Sequence, residues 1–133
     1  MRGLLALGML LVVGCSDSTE PLPVSDSSVP SCTITATITA DTGQRTITGV
    51  GNAACDHPAT ISIEVCTQYA PAGAPTFTDI MCTSSSLSST MSHAVSNLSA
   101  CLIGTDKSYR AQVNVKIDGV EQPQKLSATV ACD

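Results

Sequence analysis

Seven cysteines are the residues of this chain whose chemistry is most informative. Cys15 ends an apolar segment near the amino terminus, and the other six lie between Cys32 and Cys132. An odd number of cysteines in an exported protein leaves one thiol to be explained. If Cys15 is consumed by another modification, the six that remain suffice for three disulfides. CxxC spacing is absent from the sequence, which favours disulfides over a metal cage or a nucleophilic thiol.

Asp56-His57-Pro58 is the best candidate for a catalytic or metal site. A carboxylate beside an imidazole could bind a metal ion or assist a proton transfer. However, adjacent residues on an extended chain point in opposite directions, so a surface loop without a site is the favoured interpretation. His93 could join His57 only through the tertiary fold. The sequence has no GxSxG, HExxH, P-loop or Rossmann pattern, and we expect no enzyme, no cofactor and no metal site.

The amino-terminal segment has the features of an export signal. Arg2 precedes an apolar run of about ten residues, far short of the roughly 20 that a membrane-spanning helix needs. The run ends in Val12-Val13-Gly14-Cys15, which resembles the lipobox of bacterial lipoproteins. The resemblance implies that residues 1–14 are a cleaved signal peptide and that Cys15 carries diacylglycerol and a further acyl chain such as palmitate. An ordinary signal peptide with a leftover cysteine is the alternative.

The lipoprotein resemblance also implies a location. Several acyl chains exceed the two signals that stable anchoring requires, so we expect a membrane protein attached through lipid alone. In Gram-negative lipoproteins an Asp after the lipidated cysteine favours the inner membrane. Ser16 therefore implies a lipid-anchored protein of the cell envelope, in the outer membrane if the host is Gram-negative.

Composition separates a tether from a folded domain. Residues 15–31 are rich in Ser, Pro and Asp and cannot form a packed core, so they are predicted to be a flexible tether. Residues 32–133 are long enough for one modest core. Removal of residues 1–14 takes away one of the 6 basic residues and none of the 11 acidic ones. This acidic balance argues against nucleic acid as a partner.

Period-two alternation predicts an all-β domain. Cys32 to Ala40 places Cys, Ile and Ala on one face and four threonines on the other. Residues 41–44 and 118–119 are turn signals, and Ala70 to Pro75 must be a loop. Further strands are predicted at residues 46–50, 61–66, 76–83, 109–117 and 126–132, with Leu126 and Ala128 inward. Residues 84–100 are predicted to be a loop and one strand. About seven short strands indicate an antiparallel two-sheet sandwich.

The segment from Gly104 to Val113, followed by Asp118-Gly119, resembles the penultimate strand of immunoglobulin-like and fibronectin-type domains. The resemblance makes Tyr109 the counterpart of the tyrosine-corner residue. The chain lacks the buried Trp of the third strand and a Cys two residues after Tyr109. The expected fold is thus an immunoglobulin-like β-sandwich without membership of the antibody family.

The predicted hairpins narrow the fifteen pairings that six cysteines allow. Cys32 and Cys55 are centred on the turn at residue 43, and Cys66 and Cys82 are centred on Ala74. Cys101 and Cys132 lie at the same end of two neighbouring strands. We therefore predict the disulfides Cys32–Cys55, Cys66–Cys82 and Cys101–Cys132. Each is worth roughly 3 kcal/mol in the chain-entropy model, which matters in a domain whose aromatic residues are Tyr69, Phe77 and Tyr109 alone.

Two hypotheses about function remain. The first is a non-enzymatic surface module, adhesive or structural, that binds a protein or glycan through its loops or its threonine-rich sheet face, Thr33, Thr35, Thr37 and Thr39. The second is a small inhibitor or immunity-type protein that presents residues 69–76 or 119–124 to an enzyme. A protruding loop with rigid prolines would favour the second hypothesis, whereas a wide flat patch would favour the first.

Overall fold

The computed structural model describes residues 29–104 and 106–132. The predicted signal peptide 1–14, the lipidation site Cys15 and most of the predicted tether 15–31 lie outside the described residues. The described chain is all-β and forms one antiparallel sheet of six strands. The strands are β1 (Cys32–Asp41), β2 (Thr46–Pro71), β3 (Thr78–Ala100), β4 (Lys107–Ile117), β5 (Val120–Glu121) and β6 (Lys125–Leu126).

The first hairpin follows the alternation of its sequence. β1 pairs antiparallel with the first half of β2, from Cys32 opposite Cys55 to Asp41 opposite Thr46. The four threonines of β1 are exposed, whereas Ile38 is buried, so the predicted wet and dry faces of this strand are observed. Ser31 is tied to the end of the hairpin because its N–H donates to Asp56 Oδ1 at 2.8 Å.

β2 is unusually long, with 26 residues, because it continues through Asp56-His57-Pro58. Pro58 cannot donate a ladder hydrogen bond, and a β-bulge is one of the few places where a sheet tolerates it. The register with β3 shifts between Ala54 and Ile61, on either side of this proline. The bulge thus lets β2 bend sharply at Asp56-His57-Pro58 without ending, and we call this bend the corner.

The sheet folds over on itself at this corner. A methyl group on Gly51 would lie 2.8 Å from side-chain carbons of Val65 and Val113, so the two halves of β2 face each other. We call β1 with residues 46–55 and 91–100 the first layer. Residues 59–71 and 78–90 with β4, β5 and β6 are the second layer. The core between the layers is made of Ile, Val and Ala side chains with Tyr109, which is 1% exposed.

Three details differ from the sequence prediction. Residues 84–100 are not a loop and a separate strand, because β3 runs unbroken for 23 residues along β2. Since β2 and β3 each span two predicted strands, six strands form one folded sheet, and seven strands in an immunoglobulin-like two-sheet sandwich are not confirmed. Leu126 is 48% exposed because it is the register partner of Gln112, on the outward side of the second layer, and Ala128 is exposed beyond the end of β6.

The six cysteines of the described residues are joined in the three predicted pairs. The Cα atoms of Cys32 and Cys55 are 4.0 Å apart, as are those of Cys66 and Cys82. Those of Cys101 and Cys132 are 6.2 Å apart. In the first two pairs each cysteine is the register partner of the other. The hairpin centres at residue 43 and Ala74 therefore determine these pairings.

Candidate binding surfaces

The outward side chains of the first layer form a surface that we call the threonine face. It has four rows across β1, β2 and β3: Thr33–Ala54–Ser92, Thr35–Asn52–Ala94, Thr37–Val50–Ser96 and Thr39–Thr48–Leu98. None of these side chains is charged. All are exposed or half-buried, and Leu98 is 61% exposed. Asp41 marks the end of the face, in the next row.

The chemistry of the threonine face is that of a neutral, regular lattice. Alternate residues are about 6.6 Å apart along a strand, and neighbouring strands are about 4.8 Å apart. Threonine is stiff at χ1, so its hydroxyl and methyl groups lose little conformational freedom when a partner covers them. Such a surface can exchange hydrogen bonds with a neutral polar polymer and pack its methyl groups against it.

The sequence prediction found only the β1 part of this face. The hydroxyls of Thr48, Ser92 and Ser96 lie in the same rows, together with Asn52. The alternation Thr48-Gly49-Val50-Gly51-Asn52 is visible in the sequence. However, the glycines conceal which side is inward. Gly49 and Gly51 are buried because Thr67, Ala111, Val65 and Val113 pack where their side chains would be.

The outward side of the second layer, which we call the charged face, has a different composition. Glu64, Lys116 and Glu121 lie on it, and the Lys116 ammonium is 3.7 Å from the Glu121 carboxylate. Asn114 Nδ2 donates to Glu64 Oε1 at 3.1 Å. A shallow groove of about 700 Å³ runs over this face, and the outward serines Ser62, Ser84 and Ser86 line it beside these groups.

A hydrogen-bonded network continues the charged face toward the disulfide Cys66–Cys82. Gln68 is only 6% exposed, and its Nε2 donates to Asp79 Oδ1 at 2.7 Å and to Gln112 Oε1 at 2.8 Å. Arg110 Nε donates to Gln68 Oε1 at 2.8 Å, and its guanidinium lies 3.9 Å from the ring centroid of Phe77. These groups satisfy one another, which is what a buried amide requires.

Asp56 and His57 touch, contrary to the sequence prediction that adjacent side chains point apart. His57 Nδ1 donates to Asp56 Oδ1 at 2.8 Å, because both residues lie in the corner of β2, where strand alternation fails. The hydrogen bond from His57 lowers the pKa of the Asp56 carboxyl, and the Ser31 N–H lowers it further. Both side chains are about half exposed, so the pair forms no cavity of its own.

His93 belongs to a different environment. It lies in β3 opposite Ala53, and its Nε2 is buried without a hydrogen-bond partner among the described residues. The one group of three potential metal ligands within residues 29–104 and 106–132 is Cys66, Asp79 and Cys82. Both of its sulfurs are held in a disulfide and are not free thiolates. It contains neither His57 nor His93.

The interior also contains a buried polar cluster between the layers. Asn97 Nδ2 donates to Val65 O at 2.8 Å and to Met81 O at 3.1 Å, and the Thr67 hydroxyl donates to Asn97 Oδ1. Asn97-Leu98-Ser99 matches the N-glycosylation motif Asn-x-Ser. Asn97 is only 4% exposed, so this asparagine lies in the core. The cluster connects the two layers rather than forming a site open to solvent.

The end of the domain at Cys101–Cys132 contains a smaller cavity, of about 290 Å³. Arg45, Lys107 and Tyr109 line it. The Tyr109 hydroxyl accepts a hydrogen bond from the Leu102 N–H at 3.0 Å, seven residues upstream. A tyrosine corner makes a bond of this kind. Lys107 Nζ donates to the carbonyl of Ile103, so its ammonium is tied to the adjacent loop.

Comparisons with known proteins show no family for this chain. Searches against protein families and against curated proteins give no match. Among solved structures, the chain is similar to a protein designated ApaA from Bordetella pertussis, with 12% identity and a TM-score of 0.39. The alignment covers 76% of this chain and 91% of that one. In the described part of the chain, no helix is long and apolar enough to span a membrane.

Proposed function

We propose that this chain is a non-enzymatic envelope protein, anchored by lipid at Cys15, that binds a neutral protein or glycan surface through the threonine face. The observation that carries the proposal is the absence of charge from all four rows of that face. Water-exposed sheet faces are normally interspersed with charged residues, which keep proteins apart. A wide face without them is suited to contact with another surface.

Three disulfides support placement in an oxidising compartment such as the cell envelope. The lipid anchor itself rests on the sequence Val12-Val13-Gly14-Cys15. The domain begins where the predicted tether ends, since Ser31 and Asp56 exchange hydrogen bonds beside Cys32. The predicted tether would hold the domain off the membrane surface, which would leave the threonine face accessible.

The alternative is a small inhibitor that acts through an exposed loop. The turn after β2 contains Gly73 with a φ of 74° and the exposed residue Pro75. It is held against the neighbouring loop, because the Ala72 N–H donates to the carbonyl of Asp106. This turn is short and hydrogen-bonded to its neighbour, whereas the threonine face extends across three strands, and we therefore favour the surface-binding module.

Two experiments in the host test the proposal. We expect wild-type protein to partition into the detergent phase and to incorporate labelled palmitate, and Cys15→Ala to do neither. Equal membrane recovery of the two proteins, with the variant correctly cleaved, would contradict the lipid anchor. For the binding function, cross-linking in the envelope followed by mass spectrometry should place the partner's contacts on the threonine face. Contacts confined to residues 69–76 or 119–124 would instead support the inhibitor.

A further inference from the structure

β3 has the longest free edge of the described sheet. Within the described residues, β3 is hydrogen-bonded to β2 alone, although it has 23 residues. Exposed edges are templates for pairing with another chain, and proteins usually protect them with lysine, proline or covering loops. β3 contains no Lys, Arg or Pro, and Asp79 is its one acidic residue. This edge is therefore open to strand addition.

The hydrogen bonds between β4 and β6 determine which backbone N–H and C=O groups of β3 face its open edge. Ala111 turns its N–H and C=O away from β2, because they bond to the hydroxyl and the N–H of Ser127. Its register partner Thr67 must then bond toward β3, where it pairs with Met81. By alternation, every second residue after Met81 bonds to β2. The residues left with N–H and C=O at the open edge are Cys82, Ser84 and Ser86.

The side chains at this edge show that the interior is left partly uncovered. Met81 and Leu87 are register partners of Thr67 and Ile61, which are both 0% exposed. Yet Met81 is 45% exposed and Leu87 is 47% exposed. Both side chains lie on the core side of the second layer, but no described element covers them. A strand added to β3 would cover both.

We propose that a second copy of this chain adds to β3 in antiparallel orientation, with Ser84 of one copy opposite Ser84 of the other. In this register Met81 lies opposite Leu87 of the second copy, and Thr83 lies opposite Ser85 of the second copy. Apolar groups thus meet apolar groups and hydroxyls meet hydroxyls on the core side. The Ser84 pair exchanges both backbone hydrogen bonds, since its N–H and C=O groups face the edge.

The second copy is favoured over an unrelated peptide because the segment 81–87 is self-complementary. Its core-side residues read apolar, hydroxyl, hydroxyl, apolar in either direction. A two-fold axis requires that one surface match itself, and this pattern does so. Asp79 would lie opposite Ser89 of the second copy, so the two Asp79 carboxylates are kept apart. The dimer is independent of the threonine face, which lies on the other layer.

A charge-swap experiment tests both the dimer and its register. The full chain, purified in a mild detergent, would be examined by sedimentation velocity over a range of concentrations. We expect a wild-type dimer, and we expect Leu87→Lys and Met81→Asp each to abolish it by placing a charge opposite an apolar side chain. The double variant Met81→Asp/Leu87→Lys should regain the dimer, because each new Asp then faces a new Lys of the second copy.

Leu98→Lys is the matched control, since Leu98 is also exposed on β3 but lies in the first layer, outside the pairing segment. This variant should remain dimeric. Circular dichroism of every variant would check that the fold is retained, which is expected because the substituted side chains are exposed. A monomeric wild type, a dimer that survives Leu87→Lys, or a double variant that stays monomeric would overturn the proposal.

Discussion

The two outward faces of this domain are built largely from the same two strands, yet they differ in charge. β2 and β3 cross from the first layer to the second at the corner around Pro58. Before the corner their outward residues are Thr, Ser, Ala, Asn, Val and Leu, without a charge. Beyond it, Glu64 and Asp79 join Arg110, Lys116 and Glu121 on the charged face.

The difference shows that folding does not require the threonine face to be neutral. Both layers keep the same inward pattern of apolar residues, and both are tied by a cross-strand disulfide. The charged face has both acidic and basic side chains, although its strands are paired antiparallel in the same way. The neutrality of the threonine face is therefore a property beyond what the fold demands, which is why we connect it with binding.

Removal of the disulfides should have the largest effect on stability and should differ between the two layers. Cys66→Ala/Cys82→Ala should lower the free energy of unfolding by about 3 kcal/mol, the value for a loop of this size. Cys32→Ala/Cys55→Ala should lower it somewhat more, because the sequence separation of this pair is 23 rather than 16 and a longer closed loop is constrained more. Denaturant unfolding monitored by circular dichroism measures both.

The control for the disulfide variants is Ser62→Ala/Ser86→Ala, which removes a cross-strand hydroxyl pair 2.8 Å apart on the same two strands. An exposed hydrogen bond contributes about 1 kcal/mol or less, so this variant should be nearly as stable as wild type. A disulfide variant as stable as the control would show that its cross-strand link contributes little to the stability of the domain.

Gly51→Ala should have the next largest effect, because it acts where the two layers meet. The added methyl group would lie 2.8 Å from Val65 and Val113, which are both 0% exposed and cannot move away. Overpacking of this kind lowers the free energy of unfolding by about 1–3 kcal/mol. Gly43→Ala, where the nearest group is Asp41 Oδ1 at 3.4 Å, is the control. Equal stability of the two variants would contradict face-to-face packing of the layers.

A small effect is expected at the corner between the layers, where His57 lowers the pKa of Asp56. A carboxyl with a lowered pKa in the folded state stabilises the fold above its unfolded pKa. That contribution is lost as the pH falls through the folded pKa. His57→Ala should move the titration midpoint of the Asp56 carboxyl upward, toward its ordinary value of 3.8. Carboxyl-carbon NMR would show it, and an unchanged midpoint would contradict the contact.

Local pattern was sufficient to predict the hairpins and the disulfides. The alternation of β1, the turn at residue 43 and the inward positions of β4 from Tyr109 to Ile117 are all observed. These strands alternate cleanly because one side of each packs on the core. The position of each turn determines the register of its hairpin, and the register determines which cysteines lie opposite each other.

The long strands could not be predicted in the same way. Residues 84–100 are rich in serine, and the core-side positions of their second half include His93, Asn97 and Ser99. Without an apolar alternation the pattern indicates a loop, but pairing with β2 determines the structure. Pro58 likewise suggests that the strand is interrupted, but β2 continues through Pro58 because a β-bulge accommodates it. The contact between Asp56 and His57 depends on that bulge, and therefore it could not be predicted from the sequence.

Binding through the threonine face is tested most directly by placing one lysine on each outward face of the same strand. Thr48 and Ser62 are both half-buried hydroxyl residues of β2, one on the threonine face and one on the charged face. Full-length wild type, Thr48→Lys and Ser62→Lys would each be used to capture partners from a detergent extract of the host envelope. We predict that Thr48→Lys loses the partner that wild type retains and that Ser62→Lys keeps it. Equal capture by the two variants, or loss with Ser62→Lys alone, would contradict a binding role for the threonine face.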